Sequence, residues 1–223
     1  MKKSLLCFAL ILVLISNLIP VSEISINASD SLVPVAIDNL DLCAVTNVKT
    51  PSPLKRSYLV PNASGYMRVS FDNERKKIWI EDYNDKFMIT SKRSLDLELD
   101  LWGGFYAGDD AYYIAEGQNN TEENNNKEVI RIIKYDHNWK RLGAASVKRD
   151  LVVAENSVRY PFDASSCDMI EHKGKLYLVS GHEGYVDSKY GQGHQGFLMV
   201  EVDPSSMTGR FISWDQSHSF IQF

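Results

Sequence analysis

Ile78-Trp79-Ile80-Glu81-Asp82-Tyr83-Asn84-Asp85-Lys86-Phe87 is the stretch on which the fold turns, because the chain repeats its pattern twice more. The later copies are Arg131-Ile132-Ile133-Lys134-Tyr135-Asp136-His137-Asn138-Trp139 and Met199-Val200-Glu201-Val202-Asp203-Pro204-Ser205-Ser206-Met207. Each joins an apolar run to a short turn and a bulky apolar residue, and a second strand follows. Asn and Asp suit such a turn because their side chains hydrogen-bond the backbone ahead of them. The reading is a hairpin written three times.

A second repeated element precedes the later two hairpins. Gly108-Asp109-Asp110-Ala111-Tyr112-Tyr113-Ile114-Ala115-Glu116-Gly117 matches Glu171-His172-Lys173-Gly174-Lys175-Leu176-Tyr177-Leu178-Val179-Ser180-Gly181. Together the elements define a unit of about four strands, anchored at Tyr83, Tyr135 and Val202. Other strand candidates include Tyr66 to Phe71, Phe87 to Thr90 and Ser94 to Leu99. No stretch after the N-terminal segment keeps a helical period, so the expected class is all-β.

These paired elements resemble the blades of bacterial secreted β-propellers, the strand-turn-strand being the outer hairpin of each blade. The resemblance covers roughly Tyr66 to the end and implies four-stranded antiparallel blade repeats in a partial β-propeller-like array. The full units run from Gly104 to Val147 and from Phe162 to Trp214, with part of an earlier one before them. Propellers close with about four to eight blades, and Ser217 to Phe223 resembles the opening strand of another unit. The array is therefore expected to be incomplete. It is either a truncated fragment without a function of its own, or a chain that self-associates through its open sheet edges.

Lys2 and Lys3 followed by the apolar run from Leu5 to Ile19 have the form of a secretory signal peptide, with cleavage expected near Ala28. The run falls short of the roughly 20 residues that span a bilayer. The expected organisation is a signal peptide over 1–28, a polar, proline-punctuated lead-in over 29–63 and the repeat region over 64–223. The mature chain should be secreted, extracellular and soluble. Its 24 basic and 29 acidic side chains give a formal charge of -5, which argues against nucleic acid as a partner. Cys43 and Cys167 remain after cleavage; they either pair as a disulfide in an oxidising compartment or stay as two small buried thiols.

The densest polar stretch, Ser180 to Gly196, reads as a long glycine-rich hairpin loop. It holds His182, Glu183, Asp187 and His194, the residue types of an acid–base set or a metal site, but without a known spacing: a zinc-protease helix would want His where Val186 stands. Neither a metal nor a cofactor is expected. Tyr185, Tyr190, His194 and Gln195 are the candidate ligand-binding residues, aromatic rings beside amides being a common means of holding sugars. The loop from Gly117 to Glu128 falls between the same two strands of the preceding unit and should share its rim. The expected function is a non-catalytic extracellular protein that binds a glycan or another protein; the alternative is a secreted hydrolase or lyase acting around His182 to His194.

Overall fold

The three repeated hairpins are the outer halves of three antiparallel sheets. The computed structural model describes residues 55–148, 158–162, 167–191 and 193–217, with backbone alone for His194 and for 213–217, and all of them lie in one unit, Pro34–Phe223. β1 (Ser57–Asn62), β2 (Gly65–Asp72), β3 (Lys77–Asn84) and β4 (Ile89–Asp96) form the first sheet in up-and-down order. β5 (Leu101–Ala107), β6 (Tyr112–Gly117), β7 (Ile130–Tyr135) and β8 (Arg141–Val147) form the second. In the third sheet, β9 (Val158–Pro161) pairs with β11 beyond the end of β10, and β10 (Asp168–His172), β11 (Lys175–Val186), β12 (Gly193–Asp203) and β13 (Thr208–Ser217) repeat the same order. The chain is all-β over its described residues, made of four-stranded antiparallel blades in a propeller-like array.

Two expectations change. The first sheet is complete, because β1 lies inside the 29–63 stretch read as a lead-in. It carries Pro61 and alternates between exposed and half-buried positions, so neither composition nor hydrophobicity marks it as a strand. Phe87 to Thr90 and Ser94 to Leu99 are not separate strands: β4 runs from Ile89 to Asp96. Ser91-Lys92-Arg93-Ser94 reads as a break, yet β4 is an outermost, largely exposed strand on which polar residues are admissible.

The repeated turn closes in a similar way each time. Asn84 Oδ1 accepts from the backbone N–H groups of Lys86 and Met88 at 3.0 and 2.9 Å. Asp136 Oδ1 accepts from Asn138 and Lys140 at 2.9 and 2.8 Å, and Asp203 Oδ1 from Ser205 and Ser206 at 2.9 and 3.2 Å. The bulky residue that follows has a left-handed backbone in all three, with φ of 58° at Phe87, 65° at Trp139 and 51° at Met207. For a side-chain-bearing residue that conformation costs about 1–2 kcal/mol, and packing offsets it. Trp139 is buried against Tyr112, 4.8 Å between ring centroids, and Phe87 stacks on Tyr66 at the same distance. Met207 packs against the core between the second and third sheets.

That core is one of two. Met67, Val69, Phe71, Ile78 and Ile80 of the first sheet pack against Trp102, Phe105, Ile114, Ile133 and Tyr135 of the second. From the opposite face of the second sheet, Tyr113, Ala115, Ile130 and Ile132 pack against Leu176, Leu178, Leu198, Val200 and Val202 of the third. Adjacent residues of β6 and β7 therefore enter different cores, as the alternation of a strand requires. Ile132→Ala and Ile133→Ala should each destabilise the protein by about 2–5 kcal/mol in denaturant unfolding, whereas Ile170→Ala, at a residue 60% exposed, should stay within about 0.5 kcal/mol. A small loss at either buried isoleucine would mean that its face of the second sheet is uncovered.

Candidate functional site

Most of the stretch from Ser180 to Gly196 is ladder rather than loop. Gly181 pairs with Phe197, His182 with Gly196 and Glu183 with Gln195, and the ladder extends to Val186 opposite Gly193. Gly181, Gly184, Gly193 and Gly196 sit in strands, where a polar, glycine-rich composition conceals the pairing, and Gly191, with φ of 65°, lies in the turn. His182 shares a face with Leu176 and Leu178, is 3% exposed, and its Nδ1 has no hydrogen-bond partner among the described residues. Burial pulls its pKa down to about 4, so the imidazole is neutral at physiological pH. Glu183 points to the other face, its carboxylate 3.7 Å from the Arg159 guanidinium. The strand thus holds the two groups apart, and they do not form an acid–base pair.

The other candidates divide by role. Asp187 Oδ1 accepts from the Lys189 and Tyr190 amides at 2.6 and 3.0 Å and so fixes the turn. Tyr190 at its tip is 64% exposed, with Lys189 Nζ 4.7 Å from its ring centroid. Tyr185 is tied down: its hydroxyl accepts from Asn120 Nδ2 at 2.9 Å. Gln195 and His194 both lie on β12. Cys167 is a buried free thiol whose pKa burial pushes up, and Cys43 lies outside the described residues. Among the described residues no three His, Cys, Asp or Glu side chains are grouped to hold a metal ion.

The two long loops do share a rim, and they interlock there. Asn120 is buried, and its amide also donates to the carbonyls of Asn124 and Val158 while its Oδ1 accepts from the Asn124 amide. Glu123 Oε1 accepts from the Val186 amide at 2.9 Å, and Arg159 stands between Glu123 and Glu183. These contacts fasten the second sheet to the third.

A cleft of about 390 Å³ opens instead along the first strands of the three sheets. Ser57, Tyr58, Leu59 and Val60 of β1 line it with Phe105, Tyr106 and Ala107 of β5 and Asp168 and Met169 of β10, and Lys55 stands at its wall. Tyr58 ties the three sheets together. Its ring meets Trp102 and Phe105 edge-on at 6.3 and 5.7 Å, and Lys55 Nζ lies 4.5 Å from the ring centroid. A Cβ on Gly104 would stand 2.9 Å from the Tyr58 hydroxyl and 3.0 Å from Cys167 Sγ, so this close approach requires glycine. The Tyr58 hydroxyl is buried beside the Phe105 backbone without a well-formed hydrogen bond, and burial raises its pKa, which keeps it a neutral donor. The Tyr106 hydroxyl accepts from the Glu171 amide at 3.3 Å. Lys55, Ser57, Tyr58 and Asp168 carry no signal in the sequence, because their convergence depends on the inner order of three strands, and β1 does not show itself as one.

No family model and no curated protein matches the chain. Among solved structures it aligns over 74% of its length with 38% of the Pseudomonas brassicacearum lignostilbene dioxygenase, at 9% identity and a TM-score of 0.43. The chain thus spans well under half of that protein's length.

His182 gives the site a pH dependence of known sign. Its folded pKa lies below the ordinary value, so the unfolded chain takes up a proton first as pH falls: stability is complete above about pH 6.5 and declines toward pH 4. Between pH 7 and pH 5 the stability advantage of wild type over His182→Gln should shrink by about 2 kcal/mol in denaturant titrations. A difference that does not change with pH would show that the ring is hydrated.

Proposed function

We propose that this is a secreted, non-catalytic binding protein of the cell exterior, and that it takes a glycan in the cleft along β1, β5 and β10. The cleft carries the reading. Its volume falls in the range of pockets that hold small ligands. Its lining joins two tyrosine rings to an ammonium, a carboxylate and a hydroxyl, the combination that stacks on a sugar face and hydrogen-bonds its hydroxyls. Tyr58 adds a buried donor with unused capacity. The lysine-led apolar start of the chain supports export.

The earlier candidates fit this reading unequally. Tyr190 is exposed at the tip of the rim turn and remains available to a protein or glycan partner, whereas Tyr185 is engaged with Asn120. The hydrolase or lyase alternative drew on His182, Glu183 or His194; of these, the His182 ring is buried on the face that carries Leu176 and Leu178, and Glu183 faces Arg159 on the other side of the strand.

The test is calorimetric titration of the full chain with a panel of neutral and acidic oligosaccharides. Tyr58→Phe and Tyr106→Ala should each weaken binding about tenfold or more, a loss near 1.4 kcal/mol, while Tyr190→Ala leaves it unchanged. Loss on Tyr190→Ala alone would move the site to the rim. No binding across the panel at millimolar sugar would overturn the glycan reading.

A further inference from the structure

Among the buried groups outside the cleft and the rim, Glu116 is the one whose chemistry packing does not account for. Ser70, Glu116 and Ser180 occupy equivalent places: each is fully buried, and each pairs with the residue four before the anchor of its sheet, Trp79, Arg131 or Leu198. Serine fills that place in the first and third sheets. Only in the second is it a carboxylic acid, and there it reaches the link of residues 97–100 that carries the chain from β4 of the first sheet into β5 of the second. Glu116 Oε2 accepts from the backbone N–H groups of Glu98 and Leu99 at 2.6 and 2.8 Å, while Oε1 is buried with no hydrogen-bond partner among the described residues.

We propose that Glu116 is a proton-operated clasp on the link between the first two sheets, holding it closed as the neutral acid and loosening it as the carboxylate. A charge shared with Oε1 has no donor there among the described residues, and the two amides on Oε2 offset its burial only in part, so the carboxylate is relieved when the link lifts and admits solvent. The charged neighbours do not compensate. Arg131 faces Glu116 across the ladder, but its guanidinium hydrogen-bonds Glu98 and Glu128. Arg141 of β8 holds Glu98 at 2.6 and 3.0 Å, which keeps that carboxyl below its usual range and leaves a second negative charge beside Glu116. Tyr135 of β7, pushed up to about 12 chiefly by burial, stays neutral; the first sheet packs Met67, Val69, Phe71, Ile78 and Ile80 into this core with Tyr58, Val60 and Leu95 beside them, and the titratable side chain among these, Tyr58, is also raised by burial and stays neutral.

Burial, the largest influence, lifts the Glu116 pKa to about 7. A raised carboxyl pKa means that the closed link binds the proton more tightly than the open one. Closure is therefore strongest below about pH 4.5, weakens as pH rises, and is constant above about pH 7. Amide hydrogen exchange on the full chain tests this. Corrected for intrinsic rates, protection of the Glu98 and Leu99 amides should fall about tenfold to a hundredfold from pH 5 to pH 7, relative to the Ile132 and Ile133 amides. In Glu116→Gln the same ratio should not depend on pH. A wild-type ratio that stays constant, or an equal fall in Glu116→Gln, would overturn the clasp. Should that variant fail to fold, carbon-detected titration of Glu116 in wild type decides: a midpoint near 7 supports the proposal and one near 4.5 removes it.

Discussion

The structure depends on the second sheet being buried on both faces. β6 and β7 have no solvent side: even-numbered and odd-numbered residues enter different cores, and residues as close as Ile132 and Ile133 serve opposite neighbours. A half-exposed antiparallel strand tolerates a polar residue at every second place, but a strand between two sheets does not. This explains why Tyr113-Ile114-Ala115 is a continuous apolar run and Ile130-Arg131-Ile132-Ile133 is broken only by Arg131, while β4 is rich in polar and charged residues. It also explains why polar groups inside these layers carry unusual protonation energetics.

What was legible in the sequence followed the physics of short range. The three turns could be found because Asn84, Asp136 and Asp203 act on backbone only a few residues ahead, and because a bulky apolar residue follows each, Trp139 and Met207 turned toward a core and Phe87 laid on Tyr66. The anchors Tyr83, Tyr135 and Val202 fall at matching places in the three sheets. What was not legible depends on strands distant in sequence. β1 has too little buried surface to show a pattern, and with it went the first wall of the cleft. The glycines from Gly181 to Gly196 suggested a loop because nothing local tells an extended glycine from a turning one; pairing with β9 and β12 decides it.

The same distinction separates the candidate residues. Sequence reasoning weighed His182 and Glu183 together because they are neighbours in the chain, but strand alternation sends neighbours to opposite faces. Conversely, Tyr58, Gly104 and Cys167 are far apart in sequence and meet at one point, where the missing side chain of Gly104 makes room for a phenol from another sheet. A site between blades is assembled from inner strands, one or two residues from each. Such a constellation leaves no motif in any single stretch.

Two of the buried titratable groups belong to different junctions and oppose each other. Glu116, with a pKa raised to about 7, lies where the first sheet joins the second; His182, lowered to about 4, lies where the second meets the third. Over the pH range in which both titrate, folding retains a proton at Glu116 that the unfolded chain would lose, and refuses one at His182 that the unfolded chain would take up. The two slopes have opposite sign and overlap, so their sum changes little with pH even as each junction responds. Acid tightens the first junction and strains the second. A melting curve of the whole molecule would average these effects away, and only probes placed at one junction or the other would separate them.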